Sequence, residues 1–250
     1  MMFDYDPDPP SLPLDLADLG RYRSIQEIGE AVNGAFDLDL GANVIRSRAP
    51  VAPDALLVIG PPAASQEATY CVRFLEQQGA KWMGLADFFA GMVAGVPERG
   101  LRVGWCSAGM AVVTPAGGAR SFIAWGDHSS HDDEWAVATN PPAAVMLERG
   151  RLYSVRHRVV FNEGVNSVGF RIWPAGTTEP AAWLCHEQDS AVPPGLPRNR
   201  AGCFSLFQHM GHPIEWSHIR LKAVDPVTEA LPSGTVGRQP FLRRVRPGAF

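Results

Sequence analysis

The amino-acid sequence predicts an all-β protein built as a sandwich of sheets. Segments of alternating apolar and polar residues recur along the chain, and turn-forming residues separate them at intervals of about 8 to 15 residues. The alternation is clear from Tyr153 to Phe161, where Val155, His157 and Val159 share one face of the predicted strand. The 250 residues include 25 glycines and 22 prolines, which excludes a coiled coil, a helix bundle and a collagen-like rod.

About ten strands are predicted between residues 51 and 223. Residues 83–96 also fit a short helix or a glycine-broken loop. In the last strand the alternation that starts at Ile214 slips at Ser217 and His218, which predicts a β-bulge. The predicted strands are 51–59, 69–75, 80–89, 101–108, 111–114, 120–126, 153–161, 167–173, 183–188, 202–208 and 213–223.

The distribution of charge divides the chain into three zones. Residues 1–35 are predicted to form an acidic arm with one or two short helices, residues 36–224 the sandwich, and residues 225–250 a basic arm. Nine acidic residues and two arginines give residues 1–40 a net charge of −7, whereas residues 238–250 carry four arginines and no acid. Extended arms bury little area by themselves. We therefore expect them to bind neighbouring copies of the chain or another protein.

The composition excludes several classes of protein. The net charge is −4, so the basic excess of a general nucleic-acid binder is absent. No run of about 18 apolar residues occurs, and no membrane span is expected. The four cysteines form no Cys-x-x-Cys pair, which argues against a zinc ribbon or a redox motif. No basic segment precedes an apolar one near Met1, so we expect no signal peptide and a cytoplasmic protein unless a phage encodes it.

The most specific sequence pattern lies between residues 153 and 224. Residues 171–183 read RIWPAGTTEPAAW, after the alternating strand at 153–161 and before GCFSLF at 202–207 and PIEWSHIRLK at 213–222. This pattern resembles the C-terminal half of concanavalin A-like (laminin-G-like) jelly rolls, which occur in actinobacterial phage minor tail proteins and in bacterial surface proteins. The resemblance covers residues 153–224 well and 36–150 loosely, and it implies that the sandwich is a two-sheet jelly roll.

The RIWPAGTTEPAAW segment has the properties of a strand followed by a tight turn. Pro174 ends the strand because it has no N–H to donate, and Gly176 permits the turn. Trp173 and Trp183 bracket the turn, and we expect them to pack against each other. The alternative for these two indoles is a platform for sugar rings.

The closing strand departs from the family pattern. Where such jelly rolls usually have an Asp-Asn pair, whose Asp often helps to hold a structural Ca²⁺, this chain has Ser217 and His218. A neutral serine is a poor Ca²⁺ ligand compared with a carboxylate. The usual calcium site is therefore not expected at this position.

The most polar segment runs from Gly126 to Trp135. Its side chains fit a glycan-contact loop, for which the candidate residues are Asp127, His128, His131 and Trp135. Oxygen-rich loops also suit Ca²⁺, and its candidate ligands here are Asp127, Asp132 and Asp133. A general acid/base pair and a solvated loop without a ligand are the alternatives.

Histidines also cluster near the last hairpin, at His209, His212 and His218. His209 and His212 flank a turn rather than lie on a helix, so the helical two-histidine zinc motif does not apply. We regard His209 and His212 as further candidates for glycan contact. Their surroundings also resemble the end of 3-keto-disaccharide hydrolase jelly rolls, where a His-Gly-x-Pro turn precedes the last strand.

An acidic pair keeps an enzyme as the alternative function. Glu187 and Asp189 are two residues apart and would share a sheet face. Paired carboxylates serve glycoside hydrolysis, and a polysaccharide lyase is a related possibility. The third acid of the Glu-x-Asp-x-Glu motif of jelly-roll glucanases is missing, because Ser190 and then an alanine follow Asp189.

The sequence thus favours a non-catalytic, lectin-like structural protein. Together with the resemblance, the charged arms suggest a phage virion component, on the tail or the capsid surface, that mediates assembly or attachment to host glycans. Its expected partners are copies of itself, neighbouring virion proteins and a glycan. A carbohydrate-active enzyme and an intracellular domain that binds only protein are the alternatives.

Overall fold

The computed structural model of the protein consists of two antiparallel β-sheets. It describes residues 11–48, 54–75, 82–89, 109–114, 118–125, 135–138, 147–162, 165–187, 202–209, 213–232 and 243–244. The strands in chain order are β1 (Leu14–Leu16), β2 (Gly29–Asn33), β3 (Phe36–Asp39), β4 (Val44–Ser47), β5 (Asp54–Ala63), β6 (Gln66–Phe74), β7 (Trp82–Phe89), β8 (Gly109–Thr114), β9 (Gly118–Trp125), β10 (Trp135–Ala138), β11 (Leu152–Asn162), β12 (Val165–Pro174), β13 (Leu184–Glu187), β14 (Gly202–His209), β15 (Ile214–Ala223) and β16 (Arg243–Arg244). The predicted all-β fold class is confirmed.

Among the described residues, each sheet contains eight strands. The first sheet has the order β13-β12-β11-β6-β15-β4-β3, and β1 also pairs with β15. The second sheet has the order β16-β10-β9-β8-β7-β14-β5-β2. Because β14 belongs to the second sheet and β15 to the first, the short connection between them crosses from one sheet to the other.

One face of each sheet is buried in a shared apolar core. Along β6 the buried positions alternate with more exposed ones from Ala68 to Phe74, which is the period of two that strand geometry imposes. The second sheet contributes Leu57 of β5 and Phe204 of β14 to the same core. The rings of Tyr70 and Phe204 meet across it with centroids 5.9 Å apart.

His157 of β11 lies inside this core rather than at a surface. Its side chain is 1 % exposed. The imidazole stands edge-on to the ring of Phe170 at 6.0 Å and to that of Phe204 at 6.3 Å. The alternating sequence predicts this histidine on the apolar face of its strand, and the prediction is confirmed.

The predicted strands match the observed ones closely in the second half of the chain. β11, β12, β14 and β15 each lie within a few residues of the predicted ranges. Residues 83–96 were also compatible with a short helix or a glycine-broken loop. The described part of this range belongs to strand β7, which runs from residue 82 to residue 89. The predicted strand 101–108 lies outside the described residues.

The predicted bulge in the closing strand is confirmed. The register between β15 and β6 shifts between Ser217 and Arg220. His218 has a φ of 54°, a conformation that asparagine and histidine adopt more readily than most residues. The extra residue lets Trp216 and Ile219 both face the core, where they are 2 % and 0 % exposed.

Part of the predicted N-terminal arm lies within the sandwich. β1 pairs with β15 of the first sheet, and β2 forms the edge of the second sheet beside β5. The predicted short helices are two 3-10 helices, Leu19–Arg21 and Ile25–Glu27. Across the described ranges, no helix is long and apolar enough to cross a membrane.

The burial of apolar side chains explains why residues 14–33 are held against the rest of the chain. Leu16, Leu19, Ile25 and Ile28 are each less than a tenth exposed and belong to the main core. Asn43 adds two hydrogen bonds, because its Oδ1 accepts from the N–H of Leu19 at 2.9 Å and its Nδ2 donates to the carbonyl of residue 17 at 2.8 Å. These residues of the predicted arm are therefore packed against their own chain, and binding of a partner by the arm stays a prediction.

The stability of the sandwich should depend on this segment. We expect Leu19→Ala to lower the free energy of unfolding by about 2 to 5 kcal/mol, because the leucine is fully buried. The matched control is Leu40→Ala, at a residue that is 48 % exposed, which should change it by less than about 0.5 kcal/mol. Urea unfolding of both variants measures the difference, and equal effects would show that the segment does not stabilise the fold.

Candidate functional site

Most of the residues predicted to form the site lie outside the described residues. These are Asp127, His128, His131, Asp132, Asp133 and His212. A glycan-contact loop and a Ca²⁺ site at 126–134 therefore stay predictions. Trp135 begins β10, where its backbone lies opposite Trp125 of β9 and Arg244 of β16.

His209 is a second predicted site residue whose backbone the structure describes. It ends β14, opposite Asp54 of β5 on one side and Trp82 of β7 on the other. Residues directly opposite one another in antiparallel strands lie on the same face of the sheet. An acid, an imidazole and an indole thus form one row across three neighbouring strands, which we call the His209 row.

By register, the positions of the His209 row are out of phase with the core positions of the second sheet. Phe204 and Leu206 of β14 are core residues, and residues at odd positions of the same strand lie on the opposite face. One row further along, Phe207 lies opposite Leu56, and their side chains are 5 % and 0 % exposed. The His209 row therefore lies at the strand ends, beside a surface that is already buried.

Neither Asp54 nor Trp82 was a candidate from the sequence. They are separated from His209 by more than a hundred residues, and no local motif links them. The strand pairing alone brings the three residues together. A predicted order of strands in the second sheet would have been needed to find them.

The outer face of the first sheet carries a different arrangement, which we call the charged cluster. It consists of Glu67, Arg156, Arg158, Arg171, Glu179, Lys222 and Glu229. At its centre Glu67 is only 2 % exposed. Its carboxylate accepts hydrogen bonds from Arg156 Nη1 at 2.5 Å and from Arg158 Nε at 2.7 Å. A buried carboxylate is tolerated when charged donors surround it in this way.

The RIWPAGTTEPAAW segment supplies the second half of the charged cluster. Glu179 accepts hydrogen bonds from Arg156 Nε at 2.8 Å and Arg171 Nη1 at 2.6 Å. Arg171 also donates to the carbonyl of residue 181 at 2.8 Å. These contacts fold residues 175–183 back onto the strand from which they come.

Trp183 completes this arrangement, but not in the predicted way. Its ring lies 3.9 Å from the guanidinium carbon of Arg171 and 5.2 Å from that of Arg158. Among the ring contacts of the described residues, none joins Trp183 to Trp173, so the predicted tryptophan pair is wrong. Arginine stacks well on an indole face, and this contact takes the place of the aromatic pair.

Residues of the predicted C-terminal arm also pack on this face. Trp183 contacts a small apolar cluster of Val160, Val224 and Leu231. Gly169 makes room for it, because a Cβ at this position would lie 2.3 Å from Leu231 Cδ2 and 2.9 Å from Trp183 Cε3. The carbonyl of Glu229 accepts from Arg158 Nη1 at 2.8 Å. Residues 225–232 are thus held on the sheet by their own chain.

The charges of this cluster are used within the molecule. Hydrogen bonds from Arg156 and then from Arg171 lower the pKa of Glu179. The ammonium group of Lys222 lowers the pKa of Glu229. Both carboxylates are already paired with cations of the same chain. We therefore assign the charged cluster to stability rather than to catalysis.

The acidic pair of the sequence analysis is only partly described, and the calcium position is the bulge at Ser217 and His218. Glu187 ends β13 opposite Ser167, and Asp189 lies outside the described residues. Ser217 is 5 % exposed, and its Oγ lies 3.0 Å from Nδ1 of His218. Within the described ranges, no group of three or more His, Cys, Asp or Glu residues is arranged to hold a metal ion.

Comparison with known proteins addresses the fold. No family model matches the sequence, and no curated protein matches it. Among solved structures, the legume lectin-like domain from Entamoeba histolytica is similar over 80% of this chain and 92% of its own, with a TM-score of 0.51 at 7% identity. The exoplasmic/lumenal domain of VIP36 is similar over 84% of this chain and 92% of its own, with a TM-score of 0.51 at 10% identity.

The fold is a concanavalin A-like jelly roll. The predicted resemblance is thereby confirmed at the level of the fold, including its loosely matching first half. At 7% and 10% identity the jelly-roll likeness extends to the architecture alone. The function has to be argued from the residues of this chain.

The charged cluster makes the jelly roll sensitive to acid. Because the pKa of Glu179 in the folded protein lies below its ordinary value of 4.5, its ion pairs stabilise the fold fully above that pH. The stability is lost as the pH falls through the lowered pKa. We expect the free energy of unfolding to fall more steeply below pH 4.5 in the wild type than in Glu179→Gln. Thermal unfolding between pH 7 and about pH 3 measures this difference.

The control for this prediction is Glu30→Gln. It removes the same charge from an exposed residue at the edge of the second sheet. Its pH profile should follow that of the wild type. A profile of Glu179→Gln that also follows the wild type would contradict the role assigned to Glu179.

Proposed function

We propose that this protein is a non-catalytic, lectin-like carbohydrate-binding protein whose binding surface includes the His209 row. The observation that carries the proposal is the register of three strands, which aligns Asp54, His209 and Trp82 at neighbouring strand ends of the second sheet. The jelly-roll fold supports it, since structures with this fold include a legume lectin-like domain.

The chemistry of the row suits a sugar. A carboxylate such as that of Asp54 accepts hydrogen bonds from sugar hydroxyls, and an imidazole can donate or accept. An indole such as that of Trp82 offers a large apolar face with one N–H donor. A hexose complements these groups, because it combines hydroxyl groups with an apolar C–H face. Binding sites of this kind need few polar groups beside an aromatic one.

A similar domain gives a specific starting point for the ligand. The VIP36 domain is described in a form bound to Ca²⁺ and Man3GlcNAc. For this chain we therefore propose a glycan with terminal hexoses as the ligand class. The predicted loop residues Asp127, His128, His131 and Trp135, together with His212, belong to the same proposal.

Glycan binding can be tested by variants of the His209 row. On a glycan array the wild type should bind at least one hexose-containing glycan, and His209→Asn should weaken its binding about tenfold, the effect of losing a central contact of ~1.4 kcal/mol. The matched control is His218→Asn, an exposed histidine on the first sheet, whose φ of 54° asparagine tolerates. The same solutions are analysed for released sugars.

Three outcomes of this experiment would contradict the proposal. One is a wild type that binds no glycan. Another is an equal loss of binding in His209→Asn and His218→Asn. The third is release of sugar products from a bound polysaccharide, which would favour the carbohydrate-active enzyme.

The proposal includes a structural role on a phage tail or capsid surface. It is supported by the opposite charges of the two ends, −7 in residues 1–40 and four arginines in residues 238–250. Charged ends of opposite sign attract between copies, and salt screens this attraction. The full chain should therefore form oligomers at low salt that dissociate as the salt concentration rises. Solution mass measurements test this, and a monomer at every salt and protein concentration would contradict the assembly role.

A further inference from the structure

The connection between β14 and β15 is tied at both ends to one buried hydroxyl group. Ser47 of β4 is 0 % exposed. Its Oγ accepts a hydrogen bond from the backbone N–H of Ile214, the first residue of β15, at 2.9 Å. The same oxygen donates to Oε1 of Gln208, the residue before the end of β14.

These two bonds use the hydroxyl group both as donor and as acceptor. A serine hydroxyl has one hydrogen to donate and lone pairs to accept, and here each function serves a different end of the connection. The bonds also join the two sheets, because Ser47 belongs to the first and Gln208 to the second. Gln208 is 0 % exposed and Ile214 1 % exposed, so water does not compete for these groups.

A second contact reinforces the end at β15. The carbonyl of Pro213 accepts from the N–H of Leu75, just beyond β6, at 3.4 Å. This hydrogen bond does not involve the end of β14. Within the described residues, Ser47 is therefore the side chain that joins the two ends.

The two ends that Ser47 joins enclose the candidate histidines. Gln208 directly precedes His209, and Ile214 follows His212 by two residues. Loss of the hydroxyl would leave a backbone N–H and an amide oxygen buried without a partner, which is costly and favours movement of the chain. We propose that Ser47 is a positioning residue that sets the place of His209, at the end of β14, in the carbohydrate site. This inference rests on the proposed function.

The experiment has to separate positioning from a loss of stability. Ser65→Ala is the matched control, because Ser65 is 8 % exposed and its Oγ also accepts from a strand N–H, that of Phe161, at 3.0 Å. Ser47→Ala removes the hydroxyl, and Ser47→Thr restores it. All three variants are made in the full chain.

Three measurements are made on each variant. Hydrogen exchange follows the amide of Ile214, NMR follows the imidazole resonances of His209, and a titration with Man3GlcNAc follows binding. In Ser47→Ala we expect the Ile214 amide to exchange about tenfold faster, as for a local loss of ~1.4 kcal/mol. The imidazole resonances should shift and Man3GlcNAc binding should weaken. Ser65→Ala should lower the Tm without these changes, and Ser47→Thr should return all three towards the wild type.

Each outcome decides the inference. If Ser47→Ala lowers the Tm but leaves the imidazole resonances where Ser65→Ala leaves them, Ser47 is only structural and the inference is wrong. If the resonances shift while the wild type binds neither Man3GlcNAc nor any arrayed glycan, the proposed function fails and the positioning by Ser47 stands. Should Ser47→Ala not fold, Gln208→Met replaces it, because it removes one of the two bonds at similar volume.

Discussion

The apolar layer between the two sheets is the constraint on which the other features of this protein depend. Phe204 of the second sheet meets Tyr70 and His157 of the first in this layer. Every strand that contributes to it must turn one side inward, so its alternate residues are left for the outer face. The hydrophobic effect thereby decides which residues are available for binding, before any ligand is considered.

The two outer faces use their polar residues differently. On the first sheet, three cationic side chains surround the buried carboxylate of Glu67, and two arginines hold the carboxylate of Glu179. Charges paired in this way stabilise the segments folded over the sheet, including residues 225–232. On the second sheet, the His209 row lies at the ends of the strands, where a connection to the other sheet begins. The stable face and the candidate binding face are thus on opposite sides of the core.

The connection between β14 and β15 links these two roles. It starts beside His209 on the second sheet and continues into β15, which pairs with β6, β4 and β1 in the first. Its ends depend on a hydroxyl from a strand that is distant in sequence. A residue that contacts no ligand can therefore affect a site through the placement of the chain.

Local patterns predicted the strands from 153 to 223 and the bulge at His218 because their signals lie within a few neighbouring residues. β1 and β2 were missed, since segments as short as Leu14–Leu16 become strands only when β15 or β5 pairs with them. The RIWPAGTTEPAAW segment was found as a motif, but the partner of Trp183 was not. Its partners are Arg158 of β11 and Arg171 of β12.

The sequence by itself determined the all-β class, the inward face of β11 and the turn that ends β12, because alternation and proline or glycine positions act locally. Only the tertiary structure decided that residues 14–33 and 225–232 belong to the sandwich, and that Asp54, His209 and Trp82 form one row. Strand order and register join residues far apart in the chain. No local pattern of residues specifies which distant strand will supply the neighbour.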